Sequence, residues 1–312
     1  MVTGPIIPTP GAVMECTKLL YEYLGDLIVL DVGGATTDLH SVTVESDQVA
    51  RLMISPEPKA KRTVEGDLGV YVNRWKVVES IGEEKLREQC REQGFSMEHA
   101  LETYRAIPKT EEEVKLVELL TREAVVKAAE RHAGRLRYIY GPSGRSTVAE
   151  GKDLTQVKYI VGTGGALTRL PHREEIMREI TRCNESGMLL LPGEHAQILV
   201  DHDYIMASLG VLSKRYPQAA ARLLEQSLGI TFPERKAEEP VPVCNKELSR
   251  LETQRQQREE ELQRHIEECE AMGYDMSAYR ENRPKAGDCS HECSRCTRLH
   301  CPNRTTQEGA SS

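Results

Sequence analysis

The feature that most restricts this chain is an aliphatic run that stops at a carboxylate and a double glycine: Leu27-Ile-Val-Leu30, then Asp31-Val-Gly33-Gly34-Ala35-Thr36-Thr37-Asp38. A short apolar run bounded by glycine reads as a buried strand entering a tight turn, so the fold is built around a sheet that delivers Asp31 into a loop. Strand-type residues follow at 37–44 and 49–55, and Ser46-Asp47-Gln48 between them can turn, which predicts a three-strand antiparallel meander. Residues 137–140 and 157–161 also read as strands; the second runs into Gly162-Thr163-Gly164-Gly165 and then into helix-compatible sequence.

Between 111 and 132, Val114, Val117, Leu120, Ala124 and Ala128 recur at steps of three and four with charged residues between them, the pattern of an amphipathic helix. Residues 203–229 read as two helices parted near Tyr216-Pro217. The expected organisation is an α/β domain over 1–233, a linker over 234–244, a solvated polar helix over 245–275 and a Cys-rich tail over 276–312. A coiled coil is disfavoured for the polar helix, because the heptad from Leu248 and Leu251 places Arg255 and Arg258 in the seam.

Forty-one Lys and Arg against 49 Asp and Glu leave a net charge of −8, which supplies no basic field for nucleic acid or an anionic membrane. No apolar run approaches the roughly 20 residues that span a bilayer. The expectation is a cytoplasmic protein with no DNA or membrane partner, open to homo-oligomerisation, with Cys16, Cys90, Cys183, Cys244 and Cys269 as reduced thiols.

The first loop has the parts of a phosphate-binding turn. Gly33, Gly34 and Ala35 let backbone N–H groups approach anionic oxygens, Thr36 and Thr37 add hydroxyl donors, and Asp31 and Asp38 can converge on a hydrated Mg2+ or an attacking water. A plain hairpin turn capped by Asp is the competing reading. The second loop, Gly162, Thr163, Gly164 and Gly165, can pass beneath a nucleoside, or can be a tight turn packed for structural reasons; it does not match the dinucleotide fingerprint.

In order and spacing, 31–39 resembles the second phosphate motif of the actin, Hsp70 and sugar-kinase ATPase superfamily, and 159–169 its adenosine motif. More narrowly, 8–13, 29–41, 62–69 and 203–210 resemble the glutamate mutase accessory proteins of the GlmL/MutL type, over about residues 5–232. The resemblance implies an actin-like (Hsp70/ribonuclease H-like) ATPase fold and a chaperone-like role: ATP-dependent reactivation of an adenosylcobalamin-dependent mutase, glutamate mutase or an aminomutase. It implies that Asp31 and Asp38 hold or polarise Mg2+ and water, that the 33–37 loop cradles the phosphates of ATP, and that Gly162, Gly164 and Gly165 back the adenosine. Nothing resembling the superfamily's first phosphate motif precedes Asp31. The expectation is therefore a C-terminal part of a longer ATPase or a late start at Met1, with hydrolysis only when that lobe is supplied. The motifs of the mismatch-repair MutL ATPases are absent. Two other classes remain open: a non-hydrolysing scaffold with a zinc tail, and a small-molecule kinase of the same superfamily.

Cys289, Cys293, Cys296 and Cys301 form a C-x3-C-x2-C-x4-C pattern. Four soft ligands so close together suit a tetrahedral Zn2+, with an iron–sulfur cluster or free thiols as alternatives. Glu65 and Asp67 lie where a loop could face a nucleotide or simply turn at the surface. His40, His132, His172, His195 and His202 share no metal-binding spacing and are expected at the surface or in satisfied structural roles.

Overall fold

Helix α1 (Thr9–Leu24) follows Pro8 and carries Pro10 in its first turn, where a missing N–H costs nothing. It buries Val13, Cys16, Leu20 and Leu24 along one stripe and ends at Gly25, whose left-handed φ of 79° only glycine adopts cheaply. The chain then enters β1 (Leu27–Val32), turns, and returns antiparallel as β2 (Thr37–Val42).

The meander exists, but its third strand is displaced from the expected 49–55. Asp47–Ala50 is instead a single helical turn, α2, because Ser46 accepts the Val49 N–H and so caps a helix rather than turning a hairpin. The strand paired with β2 is β3 (Ala60–Glu65), whose half-exposed, charge-bearing sequence suits a sheet edge.

Next come α3 (Arg74–Ile81), α4 (Glu83–Glu92), α5 (Met97–Glu102) and α6 (Glu111–His132). The last has the expected limits and starts with a capping box between Thr110 and Glu113. A separate two-stranded hairpin follows, β4 (Arg135–Gly141) and β5 (Gly144–Glu150), so the strand expected at 137–140 lies outside the main sheet. The chain finishes with β6 (Tyr159–Thr163), α7 (Gly164–Arg169), α8 (Arg173–Arg178), β7 (Gln197–Val200), α9 (Met206–Ser213) and α10 (Pro217–Leu228). The break between the last two falls at Tyr216-Pro217, as the sequence predicts.

This is a mixed α/β architecture with a central sheet in the order β3-β2-β1-β6-β7, in which β1, β6 and β7 run parallel. Side chains of β1 alternate between two cores. Ile28, Leu30 and Val32 pack with Leu116, Leu120 and Ala124 of α6, while Leu27 and Val29 pack with α1, α9 and α10 through Leu20, Leu209 and Leu224. Burial on both faces is why β1 is almost uninterruptedly aliphatic.

This computed structural model describes residues 7–141, 144–184, 186–233 and 264, and those up to 233 lie in a compact unit, Met1–Lys236. The linker, the polar helix apart from Arg264, and the Cys289, Cys293, Cys296 and Cys301 cluster lie outside the described residues. No helix among the described residues is long and apolar enough to cross a membrane.

Candidate functional site

The parallel register pairs Asp31 with Thr163 across β1 and β6, and Gly162 with Val200 across β6 and β7. Asp31, Thr163 and Asp201 therefore stand together at the carboxyl ends of three adjacent parallel strands, where open α/β sheets take their ligands. On the other side, Asp38 of β2 is the antiparallel partner of Asp31.

Between the two carboxylates the glycine loop is held from outside. The Gly33 N–H closes the turn on the Thr36 carbonyl at 2.9 Å. Val70 N–H donates to the Gly33 carbonyl at 3.2 Å, and Tyr71 and Val72 N–H donate to the Gly34 carbonyl at 2.9 and 2.7 Å. Asn73 donates from one amide nitrogen to the carbonyls of Ala35 and Gly66, at 2.8 and 2.7 Å. The buried Thr37 hydroxyl donates to the Leu68 carbonyl at 2.7 Å. The segment 66–73 is thus a strap laid along the loop. It comes so close that a Cβ on Gly69 would sit 2.2 Å from the Ala35 carbonyl.

With the carbonyls of Gly33, Gly34 and Ala35 turned to the strap, the N–H groups of Gly34, Ala35 and Thr36 have no acceptor among the described residues. Gly34 and Ala35 are exposed, so these donors are open to solvent, as a backbone turn that takes an anion requires. Thr36 donates its hydroxyl to Asp38 Oδ2 at 3.0 Å, while Asp38 Oδ1 is buried with no partner among the described residues. A buried carboxylate oxygen left empty costs free energy unless a ligand, cation or water fills it.

Both carboxyls of the loop are raised. Asp31 is pushed up to about 6, first by burial and then by the charges of Asp38 and Asp201. Burial also raises Asp38, against the opposing effects of the Thr36 hydrogen bond and Arg62. The carboxylate of Asp31 accepts no hydrogen bond among the described residues. No group of three or more His, Cys, Asp or Glu among those residues is arranged to hold a metal alone. Two carboxylates beside a loop of free N–H donors could hold Mg2+ in the usual way, by one or two protein oxygens with phosphate and water completing the shell.

The second loop serves several purposes. Gly162 faces Met177 and Leu167, so its missing side chain makes room for packing. Thr163 is buried and donates to Asp201 Oδ2 at 2.8 Å. Gly164, at φ 85°, turns against β1, where a Cβ would stand 2.5 Å from Asp31 Oδ1; its glycine brings the two loops into contact. Gly165 has open space on its Cβ side and offers a bare backbone surface.

Asp201 was missed by the sequence reading, although Val200-Asp201 repeats at the end of β7 the strand-then-carboxylate pattern of Leu30-Asp31. Fully buried, it accepts from Thr163, from the Ser227 hydroxyl at 2.6 Å, and from the N–H groups of Ile205 and Met206 at 3.2 and 3.0 Å. One side chain thereby ties the end of β6 to the start of α9 and to α10. Tyr204 in the same turn adopts a left-handed φ of 56°, and its phenol is raised by burial and by Asp31 and Asp201.

Glu65 and Asp67 are both engaged by Arg131 of α6, Asp67 through two 2.8 Å hydrogen bonds that hold its carboxyl below the usual range. His132 meets the expectation of a satisfied histidine through Ser41 and Thr63. His40 does not: it is buried with neither ring nitrogen partnered among the described residues, and burial pushes it down to about 3. Cys16, Cys90 and Cys183 are free thiols.

Comparison with known proteins adds an independent finding. Residues 1–228 match the family model described as MutL protein. The chain is similar to Protein MutL of Clostridium tetanomorphum, with 35% identity over 239 residues that cover 73% of this chain and 52% of that protein. It therefore spans about half the length of the curated relative it matches.

Proposed function

The chain belongs to the MutL protein family, and from that premise we propose that it binds Mg2+-ATP as part of an accessory protein that reactivates an adenosylcobalamin-dependent mutase, glutamate mutase or an aminomutase. The observation that carries the nucleotide reading is the pairing of free donors at Gly34, Ala35 and Thr36 with the partnerless Asp38 Oδ1, at the carboxyl ends of the parallel strands. The mixed sheet is compatible with an actin-like ATPase fold, the class in which such loops hold phosphate.

In this reading the N–H groups of Gly34, Ala35 and Thr36 donate to phosphoryl oxygens, while the Thr36 hydroxyl stays on Asp38 Oδ2. Asp31 and Asp38 would hold the cation, whose charge would offset the burial that raises both carboxyls. Gly165 supplies the flat backbone for the adenosine, and Asp201 holds that turn in place. Held by Asp31 and Asp38, Mg2+ would supply neutralisation of phosphate charge and polarisation of a water. Hydrolysis is proposed only where a first phosphate hairpin is supplied. The tail cysteines keep their role as proposed Zn2+ ligands.

The test is a calorimetric titration of the full chain with ATP, with and without Mg2+, beside Asp31→Ala and Asp38→Asn. Micromolar Mg2+-dependent binding, weakened at least about tenfold in both variants, is the expected result. Equal affinity in the variants removes the phosphate assignment, and no binding to the wild-type chain removes the proposal that this chain binds nucleotide by itself.

A further inference from the structure

The turn after β7 carries an aromatic residue where its backbone would favour a small one. Gly162 pairs with Val200 across β6 and β7, so Asp201 stands level with Thr163, the partner of Asp31. Three residues on, the Tyr204 N–H returns to the Asp201 carbonyl at 3.2 Å, which keeps Tyr204 over the carboxyl ends of β6 and β7. Its φ of 56° is the one left-handed value at a non-glycine position among the described residues. A β-carbon disfavours that conformation, and glycine, asparagine or aspartate is the usual choice where a turn needs it.

Asp201 holds the turn tightly enough for the strain to persist. Its carboxylate accepts the N–H groups of Ile205 and Met206, and the Ser227 hydroxyl bound to it accepts the Asp203 N–H at 3.1 Å. The core gives no reason for an aromatic ring here. Ile205 and Met206 pack with Leu20 and Leu209, whereas Tyr204 joins no core cluster, is 54% exposed, and makes no ring contact or side-chain hydrogen bond among the described residues. A bulky, exposed side chain fixed on a strained backbone marks a position that faces a ligand.

The phenol lies on the crevice side of the turn, since the charges of Asp31 and Asp201 both bear on it. Asp31 also adjoins the second glycine loop: a Cβ on Gly164 would stand 2.5 Å from its Oδ1, and the next residue, Gly165, has open space on its Cβ side. An aromatic face near a bare glycine backbone suits a flat π-system.

We propose that the Tyr204 ring packs against the base of the bound nucleotide, and that this contact separates a nucleotide from a bare polyphosphate. The proposal rests on the nucleotide reading above and adds to it a side chain that recognises the base. Asp201 is the positioning residue, because it fixes the backbone that aims the ring. Stacking tolerates any base, so the contact selects nucleotides as a class rather than adenine alone.

The test is calorimetric titration of the full chain with Mg2+-ATP and with Mg2+-tripolyphosphate, for wild type, Tyr204→Asn, Tyr204→Gly and Tyr204→Phe. Asparagine and glycine both accept the left-handed backbone, so those two variants should fold and melt no more than about 2 °C below wild type. Each should bind Mg2+-ATP about tenfold more weakly, with the affinity for tripolyphosphate within about twofold of wild type. Tyr204→Phe restores the ring and should recover the affinity for ATP. Unchanged affinity for ATP in both ringless variants overturns the proposal and leaves the phosphate reading in place. Equal losses for the two probes, or no recovery in Tyr204→Phe, overturn it as well, because the phenol would then serve the phosphates. A wild-type chain that binds neither probe overturns the nucleotide reading and this proposal with it.

Discussion

Asp31 shows what a single residue contributes and what it costs. Its folded-state pKa of about 6 lies above the ordinary 3.8, so the folded protein binds more protons than the unfolded chain between those values. Stability from this group is therefore present below about pH 4 and lost as pH rises through about 6, by on the order of 2–3 kcal/mol. Buried His40 and His132, both pushed down to about 3, act in the opposite sense: their contribution is present above about pH 6.5 and lost as pH falls. Asp31→Asn isolates the carboxylate. Urea unfolding at a series of pH values should show the variant gaining on the wild type between about pH 4 and 7. A difference flat in pH would mean that Asp31 is not held in a charge-crowded, desolvated site. A strand ending in Asp before two glycines made Asp31 legible from the sequence. Its crowding was not, because Asp201 lies 170 positions away and only the β6–β7 pairing brings it near.

At the scale of elements, the strap 66–73 decides whether the glycine loop presents donors or carbonyls. Asn73 is the side chain that holds it, with one amide nitrogen shared between the carbonyls of Ala35 and Gly66. Asn73→Ala should cost about 1–2 kcal/mol in denaturant unfolding and weaken the proposed nucleotide binding. Asn73→Asp should be worse on both measures, because it turns a carboxylate onto two carbonyl oxygens; an aspartate variant that binds as well as wild type would remove the clamp. The strap was not legible beforehand. Local strand propensity at 49–55 drew the third strand away from its place, whereas Ser46 caps a helix and β3 starts only at Ala60. Helix α6 was legible to its ends because its apolar spacing and its Thr110–Glu113 cap agree with each other.

For the whole molecule, α1 near one end of the described chain and α9 near the other close together over one face of the sheet. Gly210 is the contact point: a Cβ there would lie 1.7 Å from the Ala12 carbonyl oxygen. Gly210→Ala has to push the two helices apart and disturb the core around Leu20, Leu209 and Leu224. The expected loss is about 3 kcal/mol, or roughly 6–12 °C in Tm for a domain of this size, and calorimetry checks it. A melting temperature within a degree or two of wild type would show that α1 is not packed there. The sequence alone determined the central strand, both glycine loops, α6, the paired final helices and the family resemblance, because each is written in neighbouring residues whose periodicity or turn chemistry has one physical outcome. Only the tertiary structure decided that Asp38 and Asp201 both bear on Asp31, that a strap turns the loop carbonyls away and frees its N–H groups, and that Glu65 and Asp67 belong to Arg131. Those outcomes rest on contacts between residues far apart in the chain, and local preference carries no information about them.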